Sequence, residues 1–197
     1  MSATSAPFGF RPSFHNSGQM RPKSYVIASG YAQNIFSGDP VKLTDAGVIQ
    51  LATSDGTRTG TVDGIAMLGI FAGVEFTDAL GKPTVSNYWP TGTAATNIRA
   101  YVYDDPETLF DVQFTNPSAG TTVQASVGEE ADWIPTAPGG STSTGLSATQ
   151  LTAEVGTSGQ FQIVAFAYGV ADALTDAYVV ATVRINEHHY KAAVNQV

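Results

Sequence analysis

The stretch Leu68–Trp89, LGIFAGVEFTDALGKPTVSNYW, alternates in a way that predicts a β-hairpin. Leu68, Ile70, Ala72, Val74 and Phe76 fall on one face of a strand, and Gly69, Phe71, Gly73 and Glu75 on the other. Thr77–Lys82 is a turn segment, in which Asp78 can bond its own backbone and Gly81 can take positive φ. Pro83 lacks an N–H and suits the start of a strand. Val85, Asn87 and Trp89 then alternate with Thr84, Ser86 and Tyr88, and Pro90 closes the run. Gly69 and Gly73 share a face, where they would let another backbone or a large ring come close.

The same periodicity organises the rest of the chain. Strands are expected at Ser24–Ala28, continuing through Tyr31–Phe36, at Val41–Leu43 and at Val48–Leu51. The turn Ser37–Pro40 and the loop Ser54–Asp63 separate them. Tyr101–Tyr103 and Leu109–Phe114 follow, the latter with Phe110, Val112 and Phe114 inward. Gln160–Tyr168 is apolar on both faces. Ala177–Asn186 places Val179, Ala181, Val183 and Ile185 on one face. About ten strands with frequent turn signals predict an all-β fold, an antiparallel β-barrel or sandwich. Residues 1–24 read as an extended N-terminal arm, because Pro7, Pro12, Pro22, Gly9 and Gly18 prevent a helix. Its apolar Phe8, Phe10, Phe14 and Met20 imply docking, on the arm's own domain or on a neighbour. Residues 25–197 form a single β domain. Within it, 115–159 reads as a loop-rich insertion, with a helix or strand at Thr121–Ile134 and a linker-like run at Pro135–Gly145.

Composition sharpens this. Of 197 residues only 13% are charged, against about 25% in an average chain. Hydrophobic residues reach 43%, which is too apolar for a disordered chain. The net charge of −8 argues against a nucleic-acid partner. The arm differs from the rest: Arg11, Arg21 and Lys23 precede the first acidic residue, Asp39, while the remainder carries all 17 acidic residues. There is no cysteine, hence no disulfide or thiol chemistry. The N-terminus does not read as a signal peptide, and no apolar run is long enough to span a membrane as a helix. A soluble product made in a cytoplasm is expected.

Catalytic and ligand chemistry finds little footing. No G-x-S-x-G elbow surrounds any serine. In Glu187-His188-His189 the two histidines would face opposite sides of a strand; Glu187 and His189 share a face, but a polar strand end is the better reading. Asp104, Asp105 and Glu107 read as an acidic turn rather than a calcium loop. Glu75 and Asp111 are strand-borne carboxylates without a defined spacing. No phosphate-binding glycine motif occurs. Neither a metal nor a cofactor is expected, and no enzyme activity. Tyr88, Trp89, Tyr101 and Tyr103 would make a stacking platform for glycans if they shared a surface; packing in a core or interface is the plainer reading.

The segments SYVIASGYAQNIFSGDPVKL (24–43), GIFAGVEFTD (69–78), VSNYWPTGT (85–93) and VRINEH (183–188), with APFGFRP (6–12), resemble a family of small virion proteins of tailed bacteriophages. The resemblance covers most of the chain and is weakest over 115–145. It implies a head decoration, or cement, protein: an all-β homo-oligomer on the capsid exterior that bridges neighbouring subunits of the major capsid protein. A trimer is favoured over a dimer by analogy. No active-site residue is carried over. The expected contacts with capsid or neighbouring subunits are Phe8, Phe10, Arg11, Phe14, Arg21 and Lys23 of the arm, with Tyr88 and Trp89 at the exit of the hairpin. Removing residues 2–23 is expected to leave the domain folded. The alternatives are a host- or glycan-binding virion module and, last, a β-barrel hydrolase.

Overall fold

The computed structural model describes residues 4–52, 66–134, 139–156, 159–167 and 173–191. The expected loop Ser54–Asp63 and residues 135–138 of the linker-like run lie outside them. Among the described residues the regular secondary structure is all β strand apart from a single 3-10 turn at Val123–Ser126, so the all-β reading holds. In chain order the strands are β1 (Arg11–Phe14), β2 (Lys23–Tyr25), β3 (Ile35–Phe36), β4 (Pro40–Leu43), β5 (Ile49–Leu51), β6 (Gly69–Asp78) and β7 (Pro83–Ser86). They continue as β8 (Tyr88–Trp89), β9 (Ala95–Tyr103), β10 (Leu109–Thr115), β11 (Glu130–Ile134), β12 (Gln150–Gly156), β13 (Phe161–Phe166) and β14 (Tyr178–Ile185).

These strands build two barrels. In the first, the order is β2-β9-β6-β4-β5, with β7 flanking β6. The chain beyond β2 returns to β5 through a bridge between Ile27 and Ile49, which brings the two outer strands together. Its core holds Ile27, Ile35, Val41, Ile49, Leu68, Phe71, Val74 and Trp89 among others. In the second, β10-β12-β11-β13-β14 returns on itself through the β10–β14 pairing. Its core is the inward face of those strands: Phe110, Val112 and Phe114, Trp133, Leu151, Phe161 and Ile163, and Val179, Ala181, Val183 and Ile185. Closure leaves few free edges for unwanted strand pairing.

The hairpin at β6–β7 forms with the expected turn. Asp78 Oδ1 accepts from the backbone N–H groups of Leu80 and Lys82, both at 2.9 Å. Gly69 is required by contact, because a Cβ there would lie 2.1 Å from the Tyr103 carbonyl oxygen. One expectation fails in detail. A strict period of two puts Ile70 and Val74 on one face and Phe71 on the other. The register against β9 instead shifts between Phe71 and Gly73. That bulge inserts a residue and reverses the facing, so Phe71 joins Val74 in the first core while Ile70 enters the second. Strand β6 thus serves both barrels.

Two other expectations need correction. Residues 115–159 are not a mere excursion: they supply β11 and β12, two strands of the closed second barrel. The arm is not a detachable tail either. Strand β1 pairs with β10 and β2 with β9. Phe10 is 1% exposed and stacks on Phe161 with ring centroids 4.3 Å apart. Deleting residues 2–23 would therefore remove core and sheet together. We expect Phe10→Ala to cost about 3–5 kcal/mol in urea unfolding, and Phe14→Ala, at a 54% exposed position, about 0.5 kcal/mol or less. Equal and small losses would contradict the place of Phe10 in the core.

Candidate functional site

The expected contact residues separate into engaged and available groups. Phe10 and Trp89 are buried, at 1% and 0% exposure, and cannot touch a partner; this corrects the expectation for both. An aromatic followed by Pro90 reads equally well as a surface anchor or a core plug, and here the plug wins. Trp89 meets Phe76 edge-on at 5.4 Å, and its Nε1–H points to the Tyr31 carbonyl oxygen at 3.4 Å. Tyr88 is half-buried and stacks on Phe36 at 5.4 Å. Lys23 donates to Asp104 Oδ2 at 3.0 Å. Arg11 lies over the half-buried ring of Phe8, 4.6 Å from its centroid, a cation–π contact. That leaves Phe14 and Arg21 outward, joined by Met20 at 37% exposure.

The glycan platform does not assemble with its largest ring. Trp89 lies in the first core, and Tyr103 packs against the second. The carboxylates Glu75 and Asp111 sit in different barrels, Glu75 near Arg99 at 3.4 Å and Asp111 accepting from the Thr182 hydroxyl at 2.7 Å. Asp105 caps its own turn, its Oδ1 accepting from Glu107 N–H at 2.9 Å, and that bond holds its pKa below the ordinary carboxylate range. His189 is exposed and His188 buried. Among the described residues no three histidine or carboxylate side chains come together to hold a metal ion.

Two buried polar clusters were not foreseen. In the first, Asp39 joins the barrels. Its Oδ2 accepts from Phe36 N–H at 2.7 Å and its Oδ1 from the Ser147 hydroxyl at 2.5 Å. Ser147 Oγ also lies 2.9 Å from Thr149 Oγ1. In the sequence Asp39 looked like one more turn residue, and Ser147 and Thr149 were lost in a Ser/Thr-rich run. In the second cluster, Asp104 is 2% exposed. Its Oδ2 receives Tyr25 OH at 2.6 Å besides Lys23, and Tyr25 OH lies 3.0 Å from Tyr190 OH. His188 is 3% exposed, and its Nδ1 accepts from Tyr190 N–H at 3.1 Å. The arm, the end of β9 and the C-terminal segment meet there.

Burial pushes Asp39 up to about 6, against the bonds from Ser147 and Phe36 that favour its charged form. Burial pushes His188 down to about 4, against the attraction of Asp104 and Asp105. The two groups act in opposite senses. Asp39 binds its proton more tightly when folded, so its contribution is full below about 3.8 and is lost as pH rises through about 6. His188 binds its proton more tightly when unfolded, so its contribution is full above about 6.5 and is lost as pH falls through about 4. Each is on the order of 3 kcal/mol, so the pair nearly cancels.

In comparisons with known proteins, no family model, no curated protein and no solved structure matches this chain.

The opposition is measurable. Between pH 6.5 and 4, Asp39→Asn should lose about 3 kcal/mol relative to the parent and His188→Gln should gain about as much. Urea midpoints across that range give both slopes. Parallel curves for all three proteins would contradict the assignment.

Proposed function

We propose that the chain is a decoration protein of a tailed-bacteriophage head, made in the host cytoplasm and seated on the capsid exterior, where its copies bridge neighbouring subunits of the major capsid protein. The observation that carries this reading is the stretch from Phe14, the last residue of β1, to β2. It is pinned at both ends by strand pairing, yet it holds Phe14, Met20 and Arg21 in solvent. Arg21 forms no ion pair among the described residues, whereas Lys23 and Arg99 each have one. Apolar groups held outward beside an unpaired cation suit a partner surface that is apolar and acidic.

The segment resemblances to phage virion proteins support the lineage. The architecture supports the mechanics. One barrel is closed by the β10–β14 pairing and the other by a single bridge, and the arm stitches them together, so that added contacts at the lattice would resist expansion through the whole body. Each copy that binds the assembled shell more tightly than its separated subunits stabilises the shell by mass action. The homo-oligomer is a trimer in this reading.

Cryo-electron microscopy of heads made with the parent chain and with Phe14→Asp/Arg21→Glu tests the proposal. Parent particles should carry outer density at repeating lattice positions, and the variant should lose it while melting within a few degrees of the parent. Bare parent heads would overturn the function, and full variant occupancy would overturn the contact.

A further inference from the structure

The tip of the β6–β7 hairpin presents a knob that the described residues leave uncovered. Leu80 is 93% exposed, and Val85 nearby is 82% exposed. The tip is held in shape by the two bonds to Asp78 Oδ1 and by Gly81 N–H donating to the Asp78 carbonyl at 3.0 Å. Asp78 Oδ2 makes no hydrogen bond among the described residues, so a carboxylate oxygen remains two residues from the exposed leucine.

The chain also carries a matching hollow. A cleft of about 160 Å³ opens where the arm crosses the start of β6. Phe8, Ile70, Phe71, Ala72 and Leu146 line it, and Arg11 stands among them with its guanidinium over Phe8. Sites for cofactors or drug-sized ligands occupy about 300–1,000 Å³. This cleft is too small for such a molecule and suits one apolar side chain delivered beside a carboxylate. Leu80 lies eight residues along the chain from Ala72, roughly 26 Å in extended strand, so a chain cannot fill its own cleft.

We propose that Leu80 of one copy seats in the cleft of a second copy, with the Asp78 carboxylate facing Arg11 across the contact. The surfaces that meet are different, so the association is head-to-tail and closes as a ring when the rotation allows, which suits a trimer. The contact deepens the proposed function, resting on that reading only for self-association. One leucine covers far less than the roughly 1,000 Å² of a self-sufficient interface. The contact is accordingly weak between free copies and takes hold where a lattice keeps them side by side at millimolar effective concentration.

The chain has no cysteine, which makes the contact accessible to disulfide trapping with purified protein and no capsid. Leu80→Cys and Ala72→Cys chains, mixed under mild oxidation, should form a mixed disulfide about tenfold faster than Leu80→Cys mixed with Val164→Cys, an exposed control. Adding Arg11→Glu to the Ala72→Cys chain should slow the reaction, and Arg11→Lys should not. Melting curves establish that each variant is folded. Equal rates for cleft and control, or Leu80→Cys pairing fastest with itself, would overturn the proposal. Because no capsid is present, that failure would be distinct from bare or fully decorated heads.

Discussion

One residue of the arm holds both barrels. The backbone N–H of Phe10 donates to the Gly38 carbonyl at 2.9 Å, at the turn that leads into β4 of the first barrel. Its ring stacks on Phe161 inside the second. Breaking either contact exposes what the other protects: a buried N–H without its acceptor, or a large ring in water. Full burial of an aromatic side chain contributes about 1.5–3 kcal/mol even before the cavity left behind is counted. The joint around it is polar as well as apolar. Gly9 N–H donates to the Thr149 carbonyl at 3.1 Å, and Ser147 N–H to the Ser37 carbonyl at 2.9 Å. Asp39 receives Ser147 from across the joint. A carboxylate buried there is costly unless bonded, and its own partners are what make the position tolerable.

The available surface follows from that joint. Because Phe10 is consumed by the core, the arm offers a partner the exposed Phe14, Met20 and Arg21, and Arg11 at the cleft. Strand β6 stays paired with β9 as far as Asp78, so only the turn beyond it carries Leu80 into solvent. The same few residues thus set how the barrels are joined and which surface stays open.

Much of this was legible in the chain. Strands β10 and β14 were visible because their inward residues alternate without interruption, and the hairpin because Asp78, Gly81 and Pro83 each dictate a local conformation. Strand β12 was not, since QLTAEVG places only Leu151 and Val155 toward the core among polar neighbours. The bulge in β6 was invisible because both faces of that strand are apolar, and a period count cannot tell which of two cores takes a side chain. Phe10 and Trp89 misled for one reason: an aromatic in a segment rich in proline and glycine signals anchoring without saying to what. Buried polar joints leave the faintest trace, because Asp39 lies far in sequence from Ser147 and Thr149 and each is an ordinary turn residue on its own.

Each barrel contains one of the chain's two tryptophans, Trp89 in the first core and Trp133 in the second. Single-tryptophan chains made with Trp133→Phe and Trp89→Phe therefore report on the two barrels separately. The decisive measurement is unfolding in urea followed by fluorescence in both chains, with far-ultraviolet circular dichroism as the common reference for each. If Phe10 and the Asp39–Ser147 joint bind the barrels into one cooperative unit, fluorescence and dichroism will coincide in each chain, and adding Phe10→Ala will separate them. Two transitions already separated with Phe10 in place would contradict the account.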